Sequence, residues 1–396
     1  MSASRTAVHP RPTTAAPLFS PFSLGQLELP NRIVMAPLTR ARAGEHGVPS
    51  ALAARYYAQR GGAGLIITEA TAVSRQGTGY DNWPGLYTAD QETGWRKITE
   101  SVHAAGGRIF IQLFHAGRMS HPVFHQGELP VGPSPIAGGP ATERYDGVHL
   151  FTQPRALRAT ELAGVTRQFR AAAERALAAG FDGVEVHAGN GYLLDQLLRD
   201  GANCRDDDYG GTARHRARLL REVTAAVISI WGRERVGVRI SPLSPTNGMT
   251  DSDPVATFTQ AARDLATLGV GYLHVIEPGV NGTLSAPASA QSPLLGSGFF
   301  RTIFPGAIIA AGGHTAETGA ARIQHGQADL IAYGQLFIAN PDLPTRFRLS
   351  APLAQPQRAT FYGGGAAGYT DYPALNRISV TWSGARPSKA ALPVEG

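Results

Sequence analysis

Short, nearly unbroken apolar runs alternate along this chain with longer stretches whose apolar residues recur at helical spacing. Eight runs stand out: Arg32–Met35, Leu65–Thr68, Arg108–Leu113, Gly183–Val186, Val236–Ile240, Tyr272–Ile276, Ala307–Ala310 and Leu330–Tyr333. Runs without polar alternation are what strands buried on both faces look like. Between them the pattern predicts helices over Pro49–Arg60, Asp90–Ala105, Thr160–Ala179, Thr212–Trp231, Asp253–Leu268 and Ala316–His325. Asp90, Thr160 and Asp253 are the expected N-caps, and Gly106, Gly180 and Gly269 the expected C-terminal stops. Eight strands with intervening helices predict an α/β fold of the (β/α)8 TIM barrel class. An open doubly wound sheet is the alternative, but no GxGxxG follows the first run.

Three segments lie outside the repeat. Leu18–Pro30, with Phe19, Phe22, Leu24, Leu27 and Leu29, predicts a hairpin plugging the bottom of the barrel. Ala116–Arg158 is a Gly/Pro/His-rich excursion after the third strand, and loops of that length usually carry function, so it is read as a lid. Residues 1–17 read as a flexible leader, 18–377 as one barrel domain with its lid over 116–158, and 378–396 as a mobile polar tail.

Composition narrows the function classes. A formal charge of +6 over 396 residues is carried by scattered arginines, with no basic stripe, which gives nucleic-acid binding no support. No run is long enough to span a membrane. The lone Cys204 excludes a disulfide framework, a cysteine-built zinc site and an iron–sulfur cluster held by this chain. That usage fits a reducing compartment, and a cytoplasmic monomer or homodimer acting on a small molecule is the expectation.

In such a barrel the chemistry sits where each strand stops. Reading those positions gives Pro37, Leu38 and Thr39 after the first strand, Ala70 after the second, Gln112 at the end of the third, and His187 and Asn190 after the fourth. Arg239 ends the fifth, Gly312, Gly313 and His314 follow the seventh, and Gly334 and Gln335 the eighth. His187 and Asn190 can both donate to a developing oxyanion, and Tyr192 has a phenolic proton to give. The glycine turns stand where barrels of this class hold a phosphate on backbone N–H groups. A phosphate-bearing, polar-edged planar ligand beside an oxyanion-binding pair is the implied site, with no metal.

The segments Asn31–Arg40, Gln112–His115, His187–Leu194, Tyr209–Gly211 and Phe337–Leu343 resemble the old yellow enzyme family of FMN-dependent ene-reductases, and the resemblance extends from Leu18 to Tyr372. It implies FMN as cofactor, NADPH or NADH as hydride donor, and reduction of an activated C=C bond by ping-pong kinetics with trans addition. By matched position it assigns Thr39, Gln112 and Arg239 to the flavin ring, with Pro37, Leu38 and Ala70 packing near it. It assigns Gly312, Gly313 and Gly334 to the phosphate, with His314 and Gln335 beside them. His187, Asn190, Phe114 and Tyr362 fall to the substrate, and Tyr192 to proton donation.

One departure matters. The family usually has arginine where this chain has Gln335, and a guanidinium there would pair with the phosphate, so His314 is a candidate replacement. Three alternatives stay open: a member dedicated to one biosynthetic metabolite, a flavin binder without catalysis, and a glycosidase built on Glu185 and Asp195.

Overall fold

The computed structural model describes residues 15–140, 143, 148–281, 284–285 and 294–375. The leader reading for residues 1–14 and the whole tail reading for 378–396 lie outside them. Ala15, inside the segment read as leader, is already buried, and Ala16–Phe19 form a 3-10 turn.

Eight parallel strands close into a barrel in chain order: β1 (Ile33–Met35), β2 (Leu65–Ala72), β3 (Ile109–Phe114), β4 (Gly183–Ala188), β5 (Val236–Ile240), β6 (Tyr272–Ile276), β7 (Ala307–Ala311) and β8 (Leu330–Tyr333). Closure is made by β8 against β1, where Ile331 pairs with Ile33 and Tyr333 with Met35. All eight predicted runs are strands, buried along nearly their whole length, as packing against helices outside and side chains inside requires. The leading hairpin is present as Phe22–Leu24 paired antiparallel with Leu27–Leu29. Its Leu24 and Leu29 share one apolar cluster with the barrel residues Val34, Leu65, Ile67, Phe110, Ile309 and Leu330.

Helix boundaries bring three corrections. Thr88, not Asp90, caps the helix Ala89–Ala104, because its side chain accepts from the N–H of Gln91 and that glutamine reaches back to the backbone N–H of Thr88. Arg158, not Thr160, is the N-cap of Ala159–Ala178, with Glu161 returning to its backbone N–H. The single helix expected over 212–231 is two, Ala213–Arg216 and Arg218–Trp231, divided at Ala217. Asp253 and Gly269 cap Pro254–Leu268 as expected.

Above the apolar floor lies a polar layer centred on Glu185. Strand register sets Gln112, Glu185, Gly237 and Tyr272 side by side, and His187, Arg239 and His274 in the next such row. Glu185 accepts from Gln112 Nε2 at 2.6 Å, from the Tyr272 hydroxyl at 3.1 Å and from His274 Nδ1 at 2.8 Å. Burial would push its carboxyl up, yet His274, Arg239 and Gln112 together hold it below the usual carboxylate range. Tyr272 can reach it only because its neighbour is glycine: a Cβ on Gly237 would stand 2.0 Å from the Tyr272 ring.

Gly237→Ala therefore drives Tyr272 off Glu185 and should cost on the order of 1–3 kcal/mol or more through overpacking, read as a lowered thermal midpoint. Glu185→Leu leaves three buried donors unmatched beside Arg239, and removing one partner of a buried charged cluster costs on the order of 3–5 kcal/mol. Glu185→Gln, which keeps shape and some hydrogen bonds, should lose clearly less by the same denaturation assay. Equal losses would show that the paired charge, not the shape, is what the barrel needs.

Candidate functional site

The carboxyl ends of the strands surround a cavity of about 1130 Å³. Pro37, Leu38, Thr39, Asn190, Tyr192, Arg239, Gly312, Gly313, His314, Gly334, Gln335 and Tyr362 all line it. The sequence-derived site residues thus converge from five strand ends and the C-terminal segment. Ala70, Gln112 and His187 are buried on β2, β3 and β4, with His187 the register partner of the lining Arg239. Phe114 is a correction: it is fully buried in a cluster with Ala70, Ala72, Trp83 and Ala116, edge-on to Trp83 at 5.0 Å and to Tyr192 at 5.2 Å. It supports Tyr192 from behind and does not face the cavity.

His187, Asn190 and Tyr192 meet at the end of β4. The His187 ring is 5.5 Å, centroid to centroid, from that of Tyr192. Asn190 takes a left-handed backbone with φ of 55°, held by its N–H donating to Ser241 Oγ at 2.6 Å and its carbonyl accepting from Asn247 Nδ2 at 2.7 Å. Gly191 continues the turn, donating to Asp195 Oδ2 at 2.8 Å. Burial and the neighbouring Arg239 push the imidazole of His187 down to about 3, so it is neutral at ordinary pH. Its Nδ1 has no partner among the described residues. Burial raises the Tyr192 phenol, while Tyr80 and Asn247 hydrogen-bond it.

The loop after β1 is held by groups the sequence reading missed. A register shift in β2 between Ile67 and Ala70 leaves Glu69 aimed at that loop, where its Oε2 accepts from the N–H groups of Arg40 at 3.0 Å and Ala41 at 3.2 Å. Arg40 and Arg42 then gather backbone carbonyls of the C-terminal segment. Arg40 donates to Phe361 at 2.9 Å and Gly368 at 2.7 Å, and Arg42 to Thr360 at 2.9 Å and Gly365 at 3.1 Å. Two guanidinium groups thereby fix Thr39 and Tyr362 to one frame. A run of basic residues after a strand end was the available signal, but its partners lie over 300 residues away.

The two glycine turns differ in what they demand. Gly312 and Gly313 have φ of 143° and 62°, a backbone other residues adopt at a cost. Gly334 has ordinary φ, but a Cβ there would come within 3.2 Å of Leu38. His314, 5% exposed, has no partner for either ring nitrogen among the described residues, and Arg239 likewise lacks one at Nε.

The two carboxylates of the glycosidase alternative are both engaged elsewhere, Glu185 in the barrel layer and Asp195 with Arg199 at 2.9 Å. None of the described residues of 116–158 lines the cavity, whose rim is instead drawn from Tyr80, Thr246, Asn247, Phe361 and Tyr362. Arg118 in that excursion is buried, donating to the carbonyls of Ile136, Asn247 and Gly248. Among the described residues no helix is long and apolar enough to cross a membrane.

Comparison with known proteins agrees with this geometry. Residues 17–353 match the NADH:flavin oxidoreductase / NADH oxidase family. The putative 12-oxophytodienoate reductase 2 of Oryza sativa subsp. japonica is 43% identical over 378 residues, 94% of this chain and 97% of the relative. Morphinone reductase, solved in complex with tetrahydroNAD, superposes with a TM-score of 0.84 at 45% identity, covering 91% of this chain and 98% of that one. The old yellow enzyme homologue from Zymomonas mobilis gives a TM-score of 0.85 at 43% identity, covering 90% and 99%. With a closed barrel, a strand-end cavity and likeness of this extent, the chain belongs to the old yellow enzyme family of FMN- and nicotinamide-dependent oxidoreductases.

Proposed function

We propose that this protein reduces the activated C=C bond of α,β-unsaturated carbonyl or nitro compounds at the expense of NADPH or NADH. The observation that carries the reading is the meeting of His187, Asn190 and Tyr192 at one edge of a cavity whose other walls hold Thr39, Arg239 and two glycine turns. Relatives named as reductases of 12-oxophytodienoate and of morphinone support it.

The residues fit FMN. The Arg239 guanidinium, whose Nε has no partner among the described residues, offers a fixed positive charge for a ring edge that becomes anionic on reduction, and Gly312, Gly313 and Gly334 on the cavity wall carry no side chain to bar close approach of a phosphate to the backbone. Thr39 and Gln112 would bind the ring beside Pro37, Leu38 and Ala70. Gln112 spends its amide N–H on Glu185, which leaves its carbonyl oxygen to accept from the ligand. When bound, FMN supplies the hydride it has taken from the nicotinamide.

The chain's own work is on the acceptor. His187 and Asn190 donate to the carbonyl or nitro oxygen and draw electron density from the alkene, which makes its β carbon electrophilic. A neutral imidazole suffices, since Nε2–H or Nδ1–H donates without a formal charge. Tyr192 gives its phenolic proton to the α carbon, and Tyr80 and Asn247 keep that hydroxyl in place. Tyr362, more than half exposed, borders the entrance.

The direct test is an anaerobic titration of the purified protein with NADPH, followed by 2-cyclohexenone. The visible flavin band should bleach and then return; a band that bleaches and stays bleached with enones, maleimides and nitroalkenes alike would overturn the ene-reductase reading. Alanine at His187 or Asn190 should slow the return about a hundredfold or more, and Tyr192→Phe by ~10²–10⁴, with bleaching by NADPH kept in Tyr192→Phe.

The pH dependence follows from the same groups. His187 stays neutral above about 3 and Tyr192 stays protonated above its ordinary range, so neither changes state between about pH 6 and 9. The rate of enone reduction should show no inflection from either. A step near the ordinary histidine value that vanishes in His187→Asn would sink this assignment.

A further inference from the structure

Among the described residues, no wall arginine is free to serve the end of the cavity between β7 and β8. Of the two wall arginines, Arg346 is taken by Asp342 at 2.7 Å and by the carbonyls of Pro352 and Pro373, and Arg239 rises from β5, two strands away from β7. At position 335, where the family resemblance leads one to expect a guanidinium, stands the neutral Gln335. On the wall of the same cavity, directly after the Gly312–Gly313 turn, His314 is buried with both ring nitrogens unpartnered among the described residues. A buried imidazole with neither nitrogen partnered among the described residues, on the wall of the same cavity as the backbone of Gly313 and Gly334, is the donor set of an anion site waiting for one proton.

We infer that His314 is the phosphate ligand of this enzyme and that FMN binds together with a proton, so that cofactor retention weakens as pH rises. This rests on the FMN reading above. The groups that share the surroundings of His314 are Arg322 and Glu317 on the following helix, Tyr333 on β8, and Arg346 with its partner Asp342. Arg322 is half-buried and bonded to Gln327 Oε1 at 3.0 Å, Glu317 accepts from Thr315 Oγ1 at 2.8 Å, and the Tyr333 hydroxyl donates to the Thr315 carbonyl. Without an anion, burial and then Arg322 push the imidazole down to about 4. A phosphate dianion reverses the balance at that ring, because opposite charge at hydrogen-bond range favours the protonated form.

The proton balance sets the shape of the effect. Below the second phosphate ionisation near about pH 6, free FMN already carries the proton that the complex holds, and binding takes up none. Above it, free FMN is a dianion, free His314 is neutral, and the complex draws one proton from solvent. The dissociation constant should then be flat below about pH 6 and rise above it, toward about tenfold per pH unit. Riboflavin, which has the ring system and no phosphate, should show no such rise. Ligation by backbone N–H groups alone gives the opposite sign, since they favour the dianion that forms as pH rises.

The experiment is a titration of the apoprotein with FMN and, in parallel, with riboflavin, read by quenching of flavin fluorescence from about pH 5.5 to about 8.5. The wild type should lose FMN affinity with rising pH and keep its riboflavin affinity. His314→Gln should weaken FMN about tenfold or more near neutrality, abolish the rise and leave riboflavin unchanged. Gln335→Arg supplies a permanent charge, and should tighten FMN and flatten the pH profile even if His314→Gln folds poorly. Three results overturn the inference: FMN affinity in the wild type that is constant or improves with pH, a slope that persists in His314→Gln, or parallel loss of FMN and riboflavin in that variant. A wild type that binds riboflavin and FMN equally removes the phosphate site alone, whereas one that binds neither removes the flavin reading and this inference with it.

Discussion

The carboxylate of Glu185 is the constraint on which the site depends. An ionised group in a closed barrel loses several kcal/mol of hydration, and its surroundings must return that loss through aligned donors and countercharge. Here four strands take part: Gln112 from β3, and Tyr272 and His274 both from β6, meet a carboxylate on β4, while Arg239 on β5 adds its charge. Moving β3, β4 or β6 breaks a hydrogen bond to a buried ion, and moving β5 withdraws its countercharge. The barrel is therefore stiff at the level where the ligand would rest. The same carboxylate decides which end of the Gln112 amide is turned inward. His187 lies two residues along β4 on the same face, so the orientation of that strand carries directly into the proposed oxyanion-binding pair.

A second carboxylate does the equivalent work at the rim. Glu69 turns aside at the irregularity in β2 and takes two backbone N–H groups of the loop that carries Thr39, and the arginines of that loop hold the C-terminal segment that carries Tyr362. Burial raises the Glu69 carboxyl, and the N–H groups of Arg40 and Ala41 and then the guanidinium charges oppose that rise. The two walls of the cavity thus differ in origin. One is fixed by strand register, and the other by long-range bonds from side chains to carbonyls, which places Tyr362 on a segment with no sheet or long helix of its own.

These two kinds of fixing separate what the sequence made legible from what it hid. Strand positions were readable because burial on both faces leaves an unbroken apolar run, and the strand-end residues followed once the barrel was recognised. Asn190, Tyr192, Arg239 and the glycine turns all line the cavity for that reason. Pairings between distant residues leave no local trace. Glu185 reads as one polar interruption in a strand, and Glu69 as the end of an apolar run. Phe114 was misplaced because alternation on a strand tells inward from outward, but not how far along the barrel axis the cavity begins. The helix starts were missed by one or two residues where a reciprocal bond chose the cap: Thr88 with Gln91 completes a pair that Asp90 cannot, since its partner would fall within the helix. The division at Ala217 had no Gly or Pro to announce it.

Burial also settles how the β4 end of the site can be polar while His187 and Tyr192 keep one protonation state across ordinary pH. A protonated His187 would hold an oxyanion more tightly, but it would stand next to Arg239 in a strand pair with little water to separate the charges. The neutral form avoids that repulsion, and a hydrogen bond donated in a low-dielectric setting is stronger than its counterpart in water. Tyr192 is subject to the same burial, which disfavours the phenolate, so the phenol keeps its proton. Arg239 can remain charged at such depth because a guanidinium gives up its proton only under extreme conditions and Glu185 offsets it. His187, Tyr192 and Arg239 therefore hold their states for one reason, the low dielectric above the Glu185 layer. Groups at this level are set by the fold rather than by the solution.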